Sequence, residues 1–179
     1  MKTATKTIWK IDPAHTEIHF KVKHMMVSTV TGAFTSFDGQ VESNGEDFED
    51  AIIKFEADID SISTNNKQRD AHLKSADFFD AEQFPKLTFE SISFTPKNKE
   101  DFTLKGNLTI HGVTKEVELS TEFNGVVTDP YGNVKAGFEL SGIIRRKYFG
   151  LTWNALTEAG SIVVSDKVRL VISVQLIKS

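Results

Sequence analysis

The sequence predicts an all-β protein, and within that class an extended antiparallel β-barrel of about eight strands with a short helical insert around residues 65–84. Hydrophobic and polar residues alternate along most of the 179-residue chain, which is typical of strands with one buried and one solvated face. Turn sequences separate the alternating runs. About nine or ten such strands would expose edges in an open sheet, so closure into a barrel is expected.

The alternation is clearest in the first long run, where Ile18, Phe20 and Val22 share one face. Similar runs lie at residues 51–59, 102–110, 134–140 and 168–176. Further strands are expected at residues 30–40, 87–94, 117–124, 143–147 and 155–164. Several runs approach ten residues. At about 3.3 Å per residue, they predict a barrel tall enough for an elongated ligand.

Local signals place the breaks between these strands. Within residues 87–94 the parity of the apolar positions slips, which predicts a β-bulge near Ser91. The pair His111-Gly112 joins two alternating runs and predicts a hairpin turn. Asn65, with Gln68 three residues later, predicts the start of a helix over residues 66–74. A second short turn, capped by Asp77, is expected before Pro85.

Composition restricts the class of function. The formal net charge of −4 argues against a nucleic-acid-binding protein, which needs a basic surface. The chain has no cysteine, so thiolate catalysis and disulfides are excluded. We expect a single domain over residues 1–179 and no transmembrane segment. No signal peptide is evident, so a cytoplasmic location is expected, or a periplasmic one if a signal has been removed.

The histidines do not predict a metal site. His15 and His19 share a strand face but lie about 13 Å apart at about 3.3 Å per residue, too far for one ion. His24 has the parity of Phe20 and Val22 and is expected to point inward. It is expected either to be a neutral, hydrogen-bonded core residue or to hold the polar head of a ligand.

Catalysis has weak support. The segment around Arg69, Asp70 and His72 carries the best candidate groups, but the spacing of Asp70 and His72 is poor for a helical dyad. Nucleophile-elbow, dinucleotide and P-loop motifs are absent from the sequence. No catalytic residue is therefore assigned, although an enzyme that uses His72 and Asp70 remains an alternative. The run Arg145-Arg146-Lys147 is either a charged strand end or a cationic rim beside an apolar opening.

The 14 phenylalanines, against two tyrosines and two tryptophans, indicate either a close-packed core or the wall of an apolar cavity.

A series of motifs from Trp9 to Leu176 carries a resemblance to a known family. These motifs are Trp9, Asp12-Pro13, His15-Thr16, Ile18, Phe20, Val22, His24-Met25, Ser28, Gly32, Phe34, Phe37, Gly39, Ser61-Ile62-Ser63-Thr64-Asn65, Arg69-Asp70, His72-Leu73, Ser75, Asp77-Phe78-Phe79-Asp80, Phe84-Pro85, Phe89, Ser91, Gly106, Leu108-Thr109-Ile110-His111-Gly112-Val113-Thr114-Lys115, Arg145, Tyr148-Phe149-Gly150, Trp153 and Gly160.

With these motifs the chain resembles the YceI-like proteins, a family of small isoprenoid-binding β-barrel proteins. The resemblance implies a lipocalin-like barrel whose interior holds a long polyisoprenoid, a quinone-like lipid or a similar amphiphile. It makes a homodimer plausible, and transient contact with membranes is also expected. No cofactor or metal is expected. The family has an acidic or amide residue where this chain has Tyr148, so a polar role at that position does not carry over.

Parity and the resemblance together predict the ligand-binding residues. Phe20, Phe34, Phe55, Phe89 and Trp153 are expected to line the cavity or pack beside it, and His24 and Arg69 are expected nearer its polar end. The predicted function is non-enzymatic binding, storage or transport of the lipid. A structural barrel filled by its own side chains is the remaining alternative.

Overall fold

The computed structural model describes residues 6–153 and 164–179. Within these residues it has one α-helix, α1 (Lys67–Lys74), inserted between strands. The strands are β1 (Lys6–Ile11), β2 (Glu17–His24), β3 (Ser28–Phe34), β4 (Phe37–Asn44), β5 (Asp47–Asp58), β6 (Ile62–Ser63), β7 (Lys86–Pro96), β8 (Asp101–Ile110), β9 (Val113–Thr128), β10 (Val134–Arg145) and β11 (Val164–Lys178). No helix in the described part of the chain is long and apolar enough to cross a membrane.

Eight strands form a closed antiparallel ring in the order β1-β4-β5-β7-β8-β9-β10-β11, and β1 pairs back onto β11. The remaining strands β2, β3 and β6 continue the sheet from the free part of β11. The lipocalin-like eight-stranded barrel expected from the sequence is therefore confirmed.

β1 and β2 both pair with β11 and are separated by a kink in the chain. β1 pairs with residues 176–178 of β11, and β2 pairs with the preceding part of that strand. The chain between them makes a short 3₁₀ turn over Pro13–His15. Asp12 holds this turn, because its carboxylate accepts hydrogen bonds from Ala14 N–H and from the side chain of Gln175 in β11, and it lies 2.8 Å from His15 Nδ1.

Several strand predictions need correction in their bounds. The strand expected at residues 30–40 is two strands, β3 and β4, separated at Thr35 and Ser36. The strand expected at residues 143–147 is the end of β10, and the chain then enters a 3₁₀ turn over Arg146–Phe149. The strand expected at residues 155–164 lies almost entirely outside the described residues, and so does Gly160. Only Val164 is described, as the first residue of β11.

Two local predictions are confirmed, a third shifts by one residue, and the cap expected at Asp77 is wrong. The register of β7 against β8 slips between Ser91 and Ser93, which is the expected bulge. His111 and Gly112 form the hairpin turn with φ values of 55° and 72°. The helix cap is Asn66 rather than Asn65, because Asn65 has a left-handed φ of 61° and the Asn66 side chain accepts from Arg69 N–H. Asp77 does not cap a further turn; its carboxylate contacts His72 instead.

An aromatic cluster fills one end of the barrel, which we call the plugged end. Phe48 lies at its centre, with ring centroids 5.2 Å from Trp9, 5.4 Å from Phe123 and 5.0 Å from Phe138. Trp9 is fully buried, and its indole N–H donates to Ser43. Such tilted and edge-on ring pairs stabilise a core beyond the area they bury. The opposite end, which we call the mouth, carries the β2–β3 hairpin, the helical insert and residues 146–153.

Glycines make room for the phenylalanine rings in the barrel wall. A Cβ on Gly106 would lie 2.2 Å from Cζ of Phe89 and 2.7 Å from the carbonyl oxygen of Glu90. By contrast, a Cβ on Gly137 would meet nothing closer than 3.5 Å. Packing therefore requires glycine at Gly106 but does not require it at Gly137.

This difference makes a matched test of the wall packing. Gly106→Ala is expected to lower the free energy of unfolding by about 1–3 kcal/mol, because the ring and the backbone must both move. Gly137→Ala is expected to stay within about 0.5 kcal/mol of wild type. Urea denaturation measures both; equal stabilities for the two variants would contradict the packing.

The Asp12 kink predicts a pH dependence of stability. The hydrogen bond from His15, supported by those from Ala14 and Gln175, holds the pKa of Asp12 below its ordinary value of 3.8. A carboxylate with a depressed folded-state pKa stabilises the fold above its unfolded pKa, and this contribution is lost as the pH falls through the folded value. Asp12→Asn should therefore be less stable than wild type at neutral pH, with the difference shrinking in acid.

Urea denaturation at neutral pH and below the ordinary aspartate pKa measures this difference. Asp60→Asn is the control, because Asp60 is exposed and its side chain makes no hydrogen bond within residues 6–153 and 164–179. A difference between wild type and Asp12→Asn that stays constant with pH would show that the ionised carboxylate does not hold the kink.

Candidate functional site

The barrel encloses an elongated cavity of about 600 Å³ between the aromatic plug and the mouth. On β11 every second residue from Val168 to Leu176 lines it, as alternation requires. These eight residue steps span about 26 Å along the strand, or about 20 Å along the barrel axis at the usual strand tilt. The volume lies within the range of small-molecule sites, and the shape suits a long, narrow molecule.

Most of the cavity wall is apolar. Phe20 and Phe34 form part of it, with ring centroids 5.7 Å apart, and both lie near the mouth. Several inward-facing apolar residues, among them Val22, Ile144 and Leu170, are only partly buried although they point into the barrel. Their remaining exposed area faces the cavity, so the side chains of this half of the barrel do not fill its interior.

All seven residues expected at the ligand site line this one cavity. Phe89 and Phe34 are buried in the wall, whereas Phe20 and Phe55 are partly exposed to the cavity. The other three lie at the mouth, where the lining also reaches exposed polar side chains. These three are His24, Arg69 and Trp153.

Thr64 ties the helical insert to the end of β6. Its buried hydroxyl donates to Asp70 Oδ1 at 2.6 Å and accepts from Arg69 Nε–H at 2.7 Å. Its backbone N–H also donates to Asp70, and its carbonyl accepts from Arg69 Nη2–H. Arg69 and Asp70 are adjacent on the helix, yet both reach Thr64 because it sits at the helix N-terminus. The polar segment is thus held at the mouth by charge-assisted hydrogen bonds.

His72 belongs to a second, aromatic contact at the mouth. Its ring lies edge-on to Trp153 at 4.6 Å and to Phe78 at 5.1 Å, and its Nε2 lies 2.9 Å from Asp77 Oδ2. The alternative hypothesis of an enzyme uses Asp70 and His72 as its acid and base groups. In the structure they have different partners, Thr64 and Asp77, and no hydrogen bond joins them.

The position of Arg146 differs most from what the sequence predicted. Either interpretation of the basic run put it at a charged surface, but it is only 4% exposed and lines the cavity. Its guanidinium donates to the backbone carbonyls of Leu151, Trp153, Val164 and Ser165. Burial lowers the pKa of Arg146 and the charge of Asp166 opposes that effect, but an arginine stays protonated at neutral pH. A positive charge therefore stands beside the mouth.

The described histidines and carboxylates do not form a metal centre. Within residues 6–153 and 164–179, no three His, Asp or Glu side chains converge where they could hold an ion.

The sequence also gave no sign of Thr121, a buried residue of the cavity wall. Its hydroxyl has no hydrogen-bond partner in the described part of the chain.

The comparisons with known proteins agree with this geometry. The profile of the YceI-like domain matches residues 9–176. A UPF0312 protein of Staphylococcus aureus strain N315 is 40% identical over 166 residues, which cover 91% of this chain and 93% of the relative. The YCEI protein of Campylobacter jejuni superposes with a TM-score of 0.77 at 32% identity, covering 100% of this chain and 99% of that one.

A further solved structure has the same fold at low identity. It is described as a polyisoprenoid binding domain from Saccharophagus degradans implicated in plant cell wall breakdown. It superposes with a TM-score of 0.71 at 15% identity and covers 99% of this chain and 100% of its own. At that identity it shows a common fold and nothing more specific.

Two buried threonines test how the insert is held. Thr64→Val removes a hydroxyl that bonds to both Asp70 and Arg69, and is expected to cost about 1–3 kcal/mol of unfolding free energy. Thr121→Val removes an unpaired hydroxyl and is expected to be neutral or stabilising. The two side chains are almost equally buried, so each is the control for the other. Urea denaturation that ranks them in the opposite order would contradict the hydrogen-bond assignment.

Proposed function

The chain belongs to the YceI-like family, and we propose that it binds a long-chain isoprenoid or similar amphiphilic lipid in the barrel cavity, without converting it. The observation that carries this proposal is the elongated apolar cavity itself, with the aromatic plug at one end and polar side chains at the other. The solved domain that is described as binding polyisoprenoid has the same fold and supports the proposal.

The hydrophobic effect supplies the affinity in this proposal. Burial of apolar area contributes about 25 cal/mol per Å², or about 0.8 kcal/mol for each methylene group. A longer chain therefore binds more tightly until it reaches the aromatic plug. The largely apolar wall offers few hydrogen-bond partners along its length, which favours a hydrocarbon chain over a sugar or a nucleotide.

The polar head of the lipid, in this proposal, lies at the mouth beside His24 and Arg69. Two of the Arg69 N–H groups bond to Thr64, and a guanidinium has five, so donors remain for a ligand. The buried charge of Arg146 adds to the positive field in the same region. A phenol, quinone or phosphate head fits these donors. Phe20, Phe34, Phe55, Phe89 and Trp153 contact the hydrocarbon chain.

The cellular use that fits such a site is storage or transport of the lipid. The homodimer and the cytoplasmic location expected from the sequence stay predictions. Both are open to direct measurement, the first by sedimentation velocity of the purified chain and the second by fractionation of cells.

Filling the cavity is expected to weaken lipid uptake. Ile172 points into the cavity, whereas the adjacent Val171 points outward and is exposed. Ile172→Trp places a large ring where the chain is proposed to lie, and should weaken binding of a long-chain polyprenol about tenfold or more. Val171→Trp places the same ring outside the barrel and should bind as wild type does.

Native mass spectrometry after incubation with the polyprenol measures the bound fraction of each protein. Circular dichroism of each variant checks that the barrel is intact. If wild type acquires no polyprenol, or if both tryptophan variants bind equally well, the cavity is not the binding site.

A further inference from the structure

The turn between β2 and β3 presents three apolar side chains to solvent. Met25, Met26 and Val27, which we call the apolar tip, are 45%, 63% and 87% exposed. Met25 and Met26 have left-handed φ values of 53° and 60°. Glycine and asparagine adopt this conformation with less strain than methionine does. The geometry of the turn therefore does not explain the apolar residues, and they point to a contact outside the chain.

The apolar tip stands at the mouth of the cavity. It directly follows Lys23 and His24, which are the last residues of β2 and both line the cavity opening. Any surface that receives the tip is thereby brought next to the opening.

Exposed cations lie below the tip, on the outer face of the barrel and at the rim of the cavity opening. Lys21, Lys23, Lys167 and Arg169, which we call the basic patch, are all exposed on β2 and β11. Alternation places Lys21 and Arg169 outside, because Phe20 and Leu170 line the cavity.

The patch lacks counterions within the described part of the chain. Lys21 stands directly opposite Arg169 in the antiparallel register, and like charges in this position repel. Within residues 6–153 and 164–179, none of the four patch cations has an ion-pair partner. Neighbouring Arg145 is neutralised by Asp166 at 3.2 Å. A cluster of unpaired cations is electrostatically suited to an anionic partner.

The charge along this face changes with distance from the mouth. On β2 the outward residues run from Glu17 through His19 to Lys21 and Lys23, so the acid lies away from the mouth and the cations lie near it. Glu139 on β10 also lies on the side away from the mouth. The helical insert, across the mouth, carries both signs. Since the chain as a whole has a net charge of −4, the patch is a local feature.

We propose that the apolar tip and the basic patch form a docking surface for an anionic lipid bilayer. The tip inserts between the head groups, the cations contact lipid phosphates, and the cavity mouth is held at the membrane surface. This inference goes beyond the proposed binding of a lipid, because it assigns a separate surface through which the protein meets the membrane.

A bilayer fits these features better than a protein partner. Three protruding residues bury far less than the roughly 800 Å² per partner of a stable protein interface. Lysine is depleted at such interfaces. In a membrane, lysine and arginine extend to the head groups while neighbouring apolar residues enter the acyl region.

Vesicle co-sedimentation of the full chain tests the proposal. Wild type should sediment with vesicles of phosphatidylglycerol and phosphatidylcholine, much less with phosphatidylcholine alone, and less as salt is raised. Lys21→Gln/Arg169→Gln should weaken the binding roughly 25-fold, since each cation contributes roughly fivefold. Met26→Ser/Val27→Ser should weaken it about tenfold or more.

The plugged end supplies matched controls. Val127 and Tyr131 are 64% and 89% exposed there. Val127→Ser/Tyr131→Ser therefore removes an apolar area comparable to that of the tip from the end of the barrel opposite the mouth. Lys97→Gln/Lys99→Gln removes two exposed cations in the β7–β8 loop of the same end. Both control variants should bind vesicles as wild type does. The mouth substitutions avoid the residues that line the cavity, so uptake of polyprenol from detergent should be unchanged in all variants.

Failure of wild type to sediment with anionic vesicles would overturn the proposal, and so would equal losses in the mouth and control variants. If Met26→Ser/Val27→Ser instead dissociates a dimer and leaves vesicle binding intact, the tip belongs to an interface between two copies of this chain. A protein that binds vesicles but takes up no polyprenol would refute the proposed lipid binding and leave the docking surface standing.

Discussion

Closure of the sheet between β1 and β11 is the constraint on which the rest of the structure depends. Three residue pairs join the two strands, and the N–H of Ser179 donates to the carbonyl of Ile8 beyond them. Because Asp12 and Thr16 bond to Gln175 across the kink, β11 can pair with β1 near one end and with β2 near the other. Closure converts one face of every strand into an interior, and the length of the strands makes that interior tall.

The side chains divide this interior into two unequal parts. Around Phe48 the rings are large enough to fill the barrel, so that end is packed as a core. Towards the mouth the apolar side chains of the wall, among them Phe20, Val22 and Leu170, line the cavity and do not fill the centre of the barrel. Polar and cationic groups are concentrated where the cavity ends, around Arg69 and Arg146. An apolar cavity with a cationic opening suits an amphiphile, which has an apolar chain and a polar head. The chain belongs to the YceI-like family, whose domain spans residues 9–176.

The sequence predicted what depends on local pattern and missed what depends on distant contacts. Alternation is a property of a regular strand, so the inward orientation of Phe20 and His24 followed from parity. At Phe48 parity fails, because Asp50 has a φ of 60° and shifts the face of β5. The burial of Arg146 was not predictable, since its guanidinium bonds to the carbonyls of residues 151, 153, 164 and 165, which the fold brings to it. The helix cap moved from Asn65 to Asn66 because both are asparagine and sequence alone does not distinguish their backbone conformations.

The central claim is that the barrel interior is a binding site for an extended lipid rather than an incompletely packed core. A crystal structure of the protein purified from cells without added ligand tests it most directly. Continuous, elongated electron density is expected from the aromatic plug at Phe48 to the mouth at Arg69, with a polar end within hydrogen-bond distance of Arg69 or His24. A cavity that contains only ordered water, or one that has collapsed because its opposite walls have moved together, would contradict lipid binding.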